Sequence, residues 1–149
     1  MSASLHLAGP DDLDRLLTLV AGFHAETGID SSEEQRRGAL LPLLEGIPYG
    51  AIYLIGPARA PIGYLVLTFS WSVEFGGLDG MIDEFFLRPA VRGRGIATEV
   101  LHALPRTLAE AGIGALHLEV DRSNAAAMKL YRRAHFEPRD QYMLMSRRL

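Results

Sequence analysis

The chain has 149 residues, 48% hydrophobic and 22% charged, with a net charge of −3 and no cysteine. That length fits one domain, residues 1–149, able to bury a sizeable core, and the missing cysteine excludes disulfides, thiolate nucleophiles and thiolate metal sites. The weakly acidic balance offers no footprint for nucleic acid. With no basic-plus-apolar leader and no apolar run near the roughly 18 residues of a membrane span, a soluble cytoplasmic protein is expected, with no membrane partner.

In chain order, Ser4 to Ala8 reads as a short strand, and Gly9-Pro10-Asp11-Asp12 opens a helix, proline at the first position and acids in the positive first turn. Leu13, Leu16, Leu17, Val20 and His24 follow a helical stripe. Ser31 with Glu34 fits a capping box for a second helix to about Leu44, which Pro42 would bend or end. Ala51 to Ile55 and Ile62 to Phe69, joined by a Gly/Pro turn, read as an antiparallel hairpin, and Met81 to Leu87 as a third strand after the glycines at 76, 77 and 80. Ile96, Val100, Leu104 and Leu108 mark a long helix, with Pro105 expected to kink it and Gly112 and Gly114 to end it. Ala115 to Val120 reads as a strand. Asp121 or Ser123 would cap a last helix over 124–134, and Gln141 to Met145 reads as a final strand. The order β-αα-βββ-α-β-α-β predicts an α/β fold: a mostly antiparallel twisted sheet of about six to seven strands with helices on both faces.

Residues 92 to 97 read Arg-Gly-Arg-Gly-Ile-Ala between a strand and a helix that lacks a Ser, Asp or Asn cap. Uncapped N–H groups at a positive helix end bind anions, phosphate above all. A plain tight turn is the simpler reading of two glycines. A nucleotide P-loop needs Lys-Ser/Thr after the last glycine, and here Ile96-Ala97 follow. The dinucleotide fingerprint needs a third glycine within an early parallel unit, also missing.

Arg92 to Ala97 resembles the Gln/Arg-x-x-Gly-x-Gly/Ala signature of the GNAT acyl-CoA N-acyltransferases, preceded by Ile82-Asp83-Glu84-Phe85-Phe86-Leu87-Arg88-Pro89, similar to that family's strand before the signature. Leu118-Glu119-Val120, Ser123-Asn124-Ala125, Leu130-Tyr131 and Phe136 resemble the family's downstream block. The resemblance covers nearly the whole chain and implies an acetyl-CoA-dependent N-acetyltransferase. The N–H groups of Arg92, Gly93, Arg94, Gly95, Ile96 and Ala97 would hold the cofactor pyrophosphate, with Thr98 adding a hydroxyl. Main-chain groups of Phe85 and Leu87 would pair with the pantetheine arm, and Asn124 would hydrogen-bond it. Tyr131 would stand near the thioester sulfur as the acid, although Ala127, Leu130 and Ala134 around it also suit plain helix core. For the base, Asp83 and Glu84 stand level, on opposite faces by strand alternation, with Glu119 behind them. Asp83 matches the amine-facing acid of polyamine-type relatives, and Glu119 the base of ribosomal-protein acetyltransferases. All three also read as structural carboxylates.

His135 stands where the family has a left-handed glycine stop, and histidine tolerates that conformation better than most residues. His117 reads as a sheet-face residue, and no metal site is expected. His24, Glu26, Asp30, Trp71 and Glu74 fall in the acceptor-binding segments and would suit a cationic amine, a small molecule or a peptide. A homodimer is left open. The rival readings are a non-catalytic acyl-CoA-binding regulatory module and a nucleotide binder with a helix-end phosphate site.

Overall fold

In the computed structural model, which describes residues 4–149, five strands and four helices follow one another: β1 (Leu5–Leu7), α1 (Leu13–Thr27), α2 (Glu33–Leu44), β2 (Gly50–Ile55), β3 (Gly63–Ser72), β4 (Gly77–Leu87), α3 (Ile96–Glu110), β5 (Leu116–Leu118) and α4 (Ala125–Arg133). Single 3₁₀ turns at Pro10–Asp12 and Pro89–Val91 lead toward α1 and α3. The chain divides into two compact units, one ending at Glu119 and one spanning Val120–Leu149.

The first unit holds one sheet in the order β1-β2-β3-β4-β5. The first three neighbour pairs are antiparallel and β4–β5 is parallel, so the α/β sheet is mixed. Leu16, Leu19 and Val20 of α1 and Leu40 and Leu44 of α2 share a core with Ile52, Leu54, Tyr64, Val66 and Phe86. Alternation turns Ile55, Leu65 and Leu67, all buried, to the other face. The buried stripe of α3, Ile96, Val100, Leu101, Leu104 and Leu108, belongs to the β4–α3–β5 crossover. Each such side chain contributes about 1.5–3 kcal/mol on burial.

Several expectations change. The cap of α2 is Ser32 with Gln35, not Ser31 with Glu34: Gln35 N donates to Ser32 Oγ at 3.1 Å and Ser32 N to Gln35 Oε1 at 2.8 Å. Ser31 is engaged elsewhere. Pro42 and Pro105 both lie inside helices that run past them. β4 begins at Gly77, so glycines expected in a turn open a strand. β5 is three residues long, which leaves Glu119 beyond its end.

β3 and β4 carry an irregularity that the alternation pattern did not show. Val66 pairs with Glu84, and the next residue, Leu67, with Ile82. Asp83 is therefore the extra, unpaired residue of a β-bulge. A bulge resets the phase of a strand, so the opposite-face argument for Asp83 and Glu84 does not carry across it.

In the second unit, Asn124 caps α4, accepting from Ala127 N at 3.0 Å, in place of the expected Asp121 or Ser123. Asp121 instead accepts from Ser123 N at 2.8 Å and Ser123 Oγ at 2.7 Å. His135 takes the left-handed conformation, φ 71°, and stops the helix as the missing glycine would. The expected strand Gln141–Met145 is absent; these residues are exposed and no described strand pairs with them. The sheet thus has five strands rather than six or seven. An apolar run becomes a strand only where an edge accepts its N–H and C=O groups.

Candidate active site

β4 supplies the first part of the site. Its parallel partner β5 pairs with Gly80, Met81 and Ile82 and no further, while β4 continues five residues to Leu87. Along that stretch the β3 side is occupied: Tyr64 lies opposite Phe86, and Arg88 N donates to Ile62 O at 2.8 Å. Main-chain groups alternate sides, so those of Phe85 and Leu87 point away from β3 to the edge that β5 has left. The Asp83 bulge produces this phase, since Gly80, upstream of it, also faces β5 and donates to Ala115 O at 2.9 Å.

The second part is the turn into α3. Gly93 (φ 77°) and Gly95 (φ 80°) are both left-handed, and Gly95 is the helix N-cap without a side-chain hydrogen bond. Neither glycine is forced by crowding, because a Cβ built on either meets no protein atom within 4 Å. The first intrahelical bond runs from Glu99 N to Gly95 O at 3.1 Å. The N–H groups of Ile96, Ala97 and Thr98 thus stand at the positive end of a fifteen-residue helix with no acceptor among the described residues. The two arginines differ. Arg92 is turned back, with Nε donating to Leu87 O at 3.0 Å, Nη2 to Glu26 Oε2 at 2.8 Å, and its guanidinium 5.4 Å from the Phe86 ring centre. Glu26, read as an acceptor-facing acid, is therefore paired with the phosphate turn. Arg94 is exposed.

The carboxylates form the third part. Glu84 is largely buried, and both its oxygens are taken: Oε1 accepts from Tyr64 Oη at 2.7 Å, and Oε2 lies 2.7 Å from His24 Nε2. Burial and the Glu84 charge hold the Tyr64 phenol far above its usual range, so it remains a donor. Phe23 and Phe86 pack on the Tyr64 ring at 6.3 and 6.1 Å between centroids. Asp83 is exposed on the bulge with no hydrogen bond among the described residues. Its carboxyl is raised by partial burial first, then by Glu84 and Glu119, with His24 opposing. Asp30 and Trp71, the latter 76% exposed, lie at the surface. His117 bonds to buried Asp79 at 3.1 Å, with Ser70 Oγ on the other Asp79 oxygen, a structural cluster at the far end of β4.

In the second unit, the amide oxygen of Asn124 is committed to the α4 cap. Tyr131 meets Phe136 edge-on at 6.1 Å, and burial raises its phenol above the usual range. No group of three or more His, Cys, Asp or Glu among the described residues is placed to hold a metal, and no helix among them is long and apolar enough to cross a membrane.

Sequence reasoning missed Tyr64, Ser31 and Arg36. Tyr64 sat in an apolar strand as one more aromatic, and nothing local says which acceptor a buried hydroxyl meets across a sheet.

The search among curated proteins gives no match. Among solved structures, an integron cassette protein from the mobile metagenome of Cole Harbour Salt Marsh is 33% identical, with a TM-score of 0.83 over 97% of this chain and 90% of that one. An aminoglycoside acetyltransferase from an uncultured soil metagenomic sample, crystallised with sisomicin, shares the fold at 15% identity and a TM-score of 0.79, over 98% and 95% of the two chains. So does a ribosomal-protein-alanine N-acetyltransferase from Brucella melitensis biovar Abortus 2308, at 16% identity and 0.78, over 99% and 100%. The sequence model of the acetyltransferase (GNAT) family matches residues 23–136, and with that match over a β4 edge left open before a glycine-bent helix start, the chain belongs to the GNAT acetyltransferase family.

Proposed function

We propose that the chain, acting as one domain over residues 1–149, is an N-acetyltransferase that moves the acetyl group of acetyl-CoA to a primary amine in a ternary complex. The observation that carries this reading is the stretch of β4 that β5 leaves uncovered, where the main chain of Phe85 faces an open edge and the Leu87 carbonyl is met by Arg92 Nε, leading into the uncapped N–H groups of 96–98. A pantetheine amide would add to that edge as a strand does, and the pyrophosphate would sit on the helix start. The residues present fit the co-substrate: two glycines keep the turn clear of side chains on the side where an anion approaches.

In the reaction the amine nitrogen attacks the thioester carbonyl and loses a proton to the base, the C–S bond breaks, and coenzyme A leaves as a thiolate that takes its proton from water. The Phe85 N–H is the donor proposed for the developing oxyanion. The attacking amine must shed its proton, and Asp83 is the base we favour. Its oxygens are uncommitted while those of Glu84 are not, and its raised proton affinity suits the task. Glu119 adds negative charge that draws a cationic acceptor. Asn124 and Tyr131 enter through the family resemblance. A phenol raised above its usual range is a poor proton donor to a thiolate whose conjugate acid has a pKa near 8.5, so Tyr131 would stabilise the leaving sulfur by a hydrogen bond rather than by full transfer.

The structural neighbours act, by their names, on an aminoglycoside and on a ribosomal-protein alanine, so both a small amine and a peptide amine are acceptors to test. The test is a panel of diamines, aminoglycosides, amino acids and peptide N-termini with acetyl-CoA, followed by thiol release. Release with cationic amines supports the reading. Acetyl-CoA binding with no release across the panel points to the non-catalytic module instead.

A further inference from the structure

The side chains behind Glu84 form a continuous polar chain. Arg36 Nη1 on α2 donates to the Ser31 carbonyl at 2.5 Å and to Ser31 Oγ at 3.0 Å. Ser31 Oγ lies 2.7 Å from His24 Nδ1, His24 Nε2 lies 2.7 Å from Glu84 Oε2, and Tyr64 Oη on β3 donates to Glu84 Oε1. The direction of these bonds follows from what each group can do. A guanidinium only donates, so Ser31 Oγ accepts from Arg36 and has its single proton left to give. The acceptor within reach is His24 Nδ1. With that proton given to Nδ1, Nε2 carries the ring proton that is aimed at Glu84. His24 has neither nitrogen free for a substrate, and its side chain is only 13% exposed.

We infer that His24 is a positioning residue: through Nε2 it pins Glu84 with both oxygens committed, leaving Asp83 as the one carboxylate of the bulge that takes the acceptor's proton. The inference rests on the N-acetyltransferase reading for its last clause only. The charged and titratable groups around the pair are His24 on α1, Ser31 and Arg36 before and on α2, Tyr64 on β3, and Glu119 after β5. A fixed charge at Glu84 keeps Asp83 basic, and a pinned Glu84 does not compete for the proton. The sequence placed His24 among acceptor-binding candidates; the geometry turns it inward, to act through Glu84.

The experiment is a carbon-13 carboxyl NMR titration of Asp83 and Glu84, run on the full chain beside the pH profile of kcat. His24→Ala removes a hydrogen-bond donor to a charged oxygen, which raises the Glu84 midpoint by about one pH unit. The acid limb of kcat, set by Asp83, should move the opposite way, because a protonated Glu84 no longer raises the Asp83 carboxyl. His24→Gln, whose amide nitrogen reaches the Nε2 position, should return both toward the parent values. Ser31→Ala releases the tautomer and should shift each as His24→Ala does, and it serves as the probe if His24→Ala does not fold. An unmoved Glu84 midpoint in His24→Ala and Ser31→Ala overturns the inference, as does a His24→Gln variant as shifted as His24→Ala. If no amine is acetylated by the parent protein, the N-acetyltransferase reading fails while the NMR arm still decides the pinning of Glu84.

Discussion

Replacing Gly95 by alanine separates a phosphate-binding turn from a merely tight one. Gly95 is held at φ 80° and ψ 5° as the N-cap of α3. Its added Cβ meets no protein atom within 4 Å, so the whole cost is conformational. A left-handed non-glycine residue costs roughly 1–2 kcal/mol, which for a chain of this length lowers Tm by about 2–8 °C. Gly112 provides the control at the opposite end of the same helix, with φ 90° and equally open space around a Cβ. Both alanine variants should therefore lose similar stability by thermal unfolding. Only Gly95→Ala sets a methyl group against the proposed pyrophosphate, and it should weaken acetyl-CoA binding by about tenfold or more in calorimetry, the equivalent of ~1.4 kcal/mol. Equal affinities of the two variants would refute the turn as a phosphate cradle.

Asp83→Asn should reduce kcat by about 100-fold or more, as loss of a general base does, with acetyl-CoA affinity unchanged by calorimetry. The sign of its stability effect is opposite. Because folding raises the Asp83 carboxyl above its ordinary value, the folded state binds that proton more tightly, and stability falls as pH rises from the unfolded aspartate range through the raised folded value. At neutral pH the ionised group opposes folding, so Asp83→Asn should melt at the same temperature as the parent or higher. For the same reason the acid limb of parent activity should lie above the ordinary aspartate range. Tyr131→Phe should keep cofactor affinity and lose about 10- to 100-fold in kcat, the worth of one hydrogen bond to a charged atom; full activity would remove Tyr131 from the mechanism.

Much of the fold was legible because local rules agreed with tertiary ones. The stripe from Ile96 to Leu108 is buried along its length, and the apolar strands 51–55 and 62–69 pair as read. The glycine turn was legible because glycine takes positive φ at no steric cost, and the helix that follows it shows no capping residue. What failed depended on partners distant in sequence. Ser31 and Ser32 are indistinguishable as caps until His24 and Arg36 claim the first. Gln141 to Met145 has strand composition, yet no described strand pairs with it. The bulge at Asp83 leaves no mark on its own residues, because it is a mismatch between two strands, and it decides which carboxylate is free and which main-chain groups face the open edge. Glu84 looked like the equal of Asp83 for as long as its two donors, sixty and twenty residues away, were unseen.

The fate of the acetyl carbonyl decides whether the protein moves acetyl from sulfur to nitrogen. With acetyl-CoA labelled by carbon-13 at that carbon, a cationic diamine and the protein, the thioester resonance should be replaced by an amide resonance, with one thiol released per amide formed. A thioester signal that persists beside a bound cofactor, or one that decays only to acetate, would contradict that transfer.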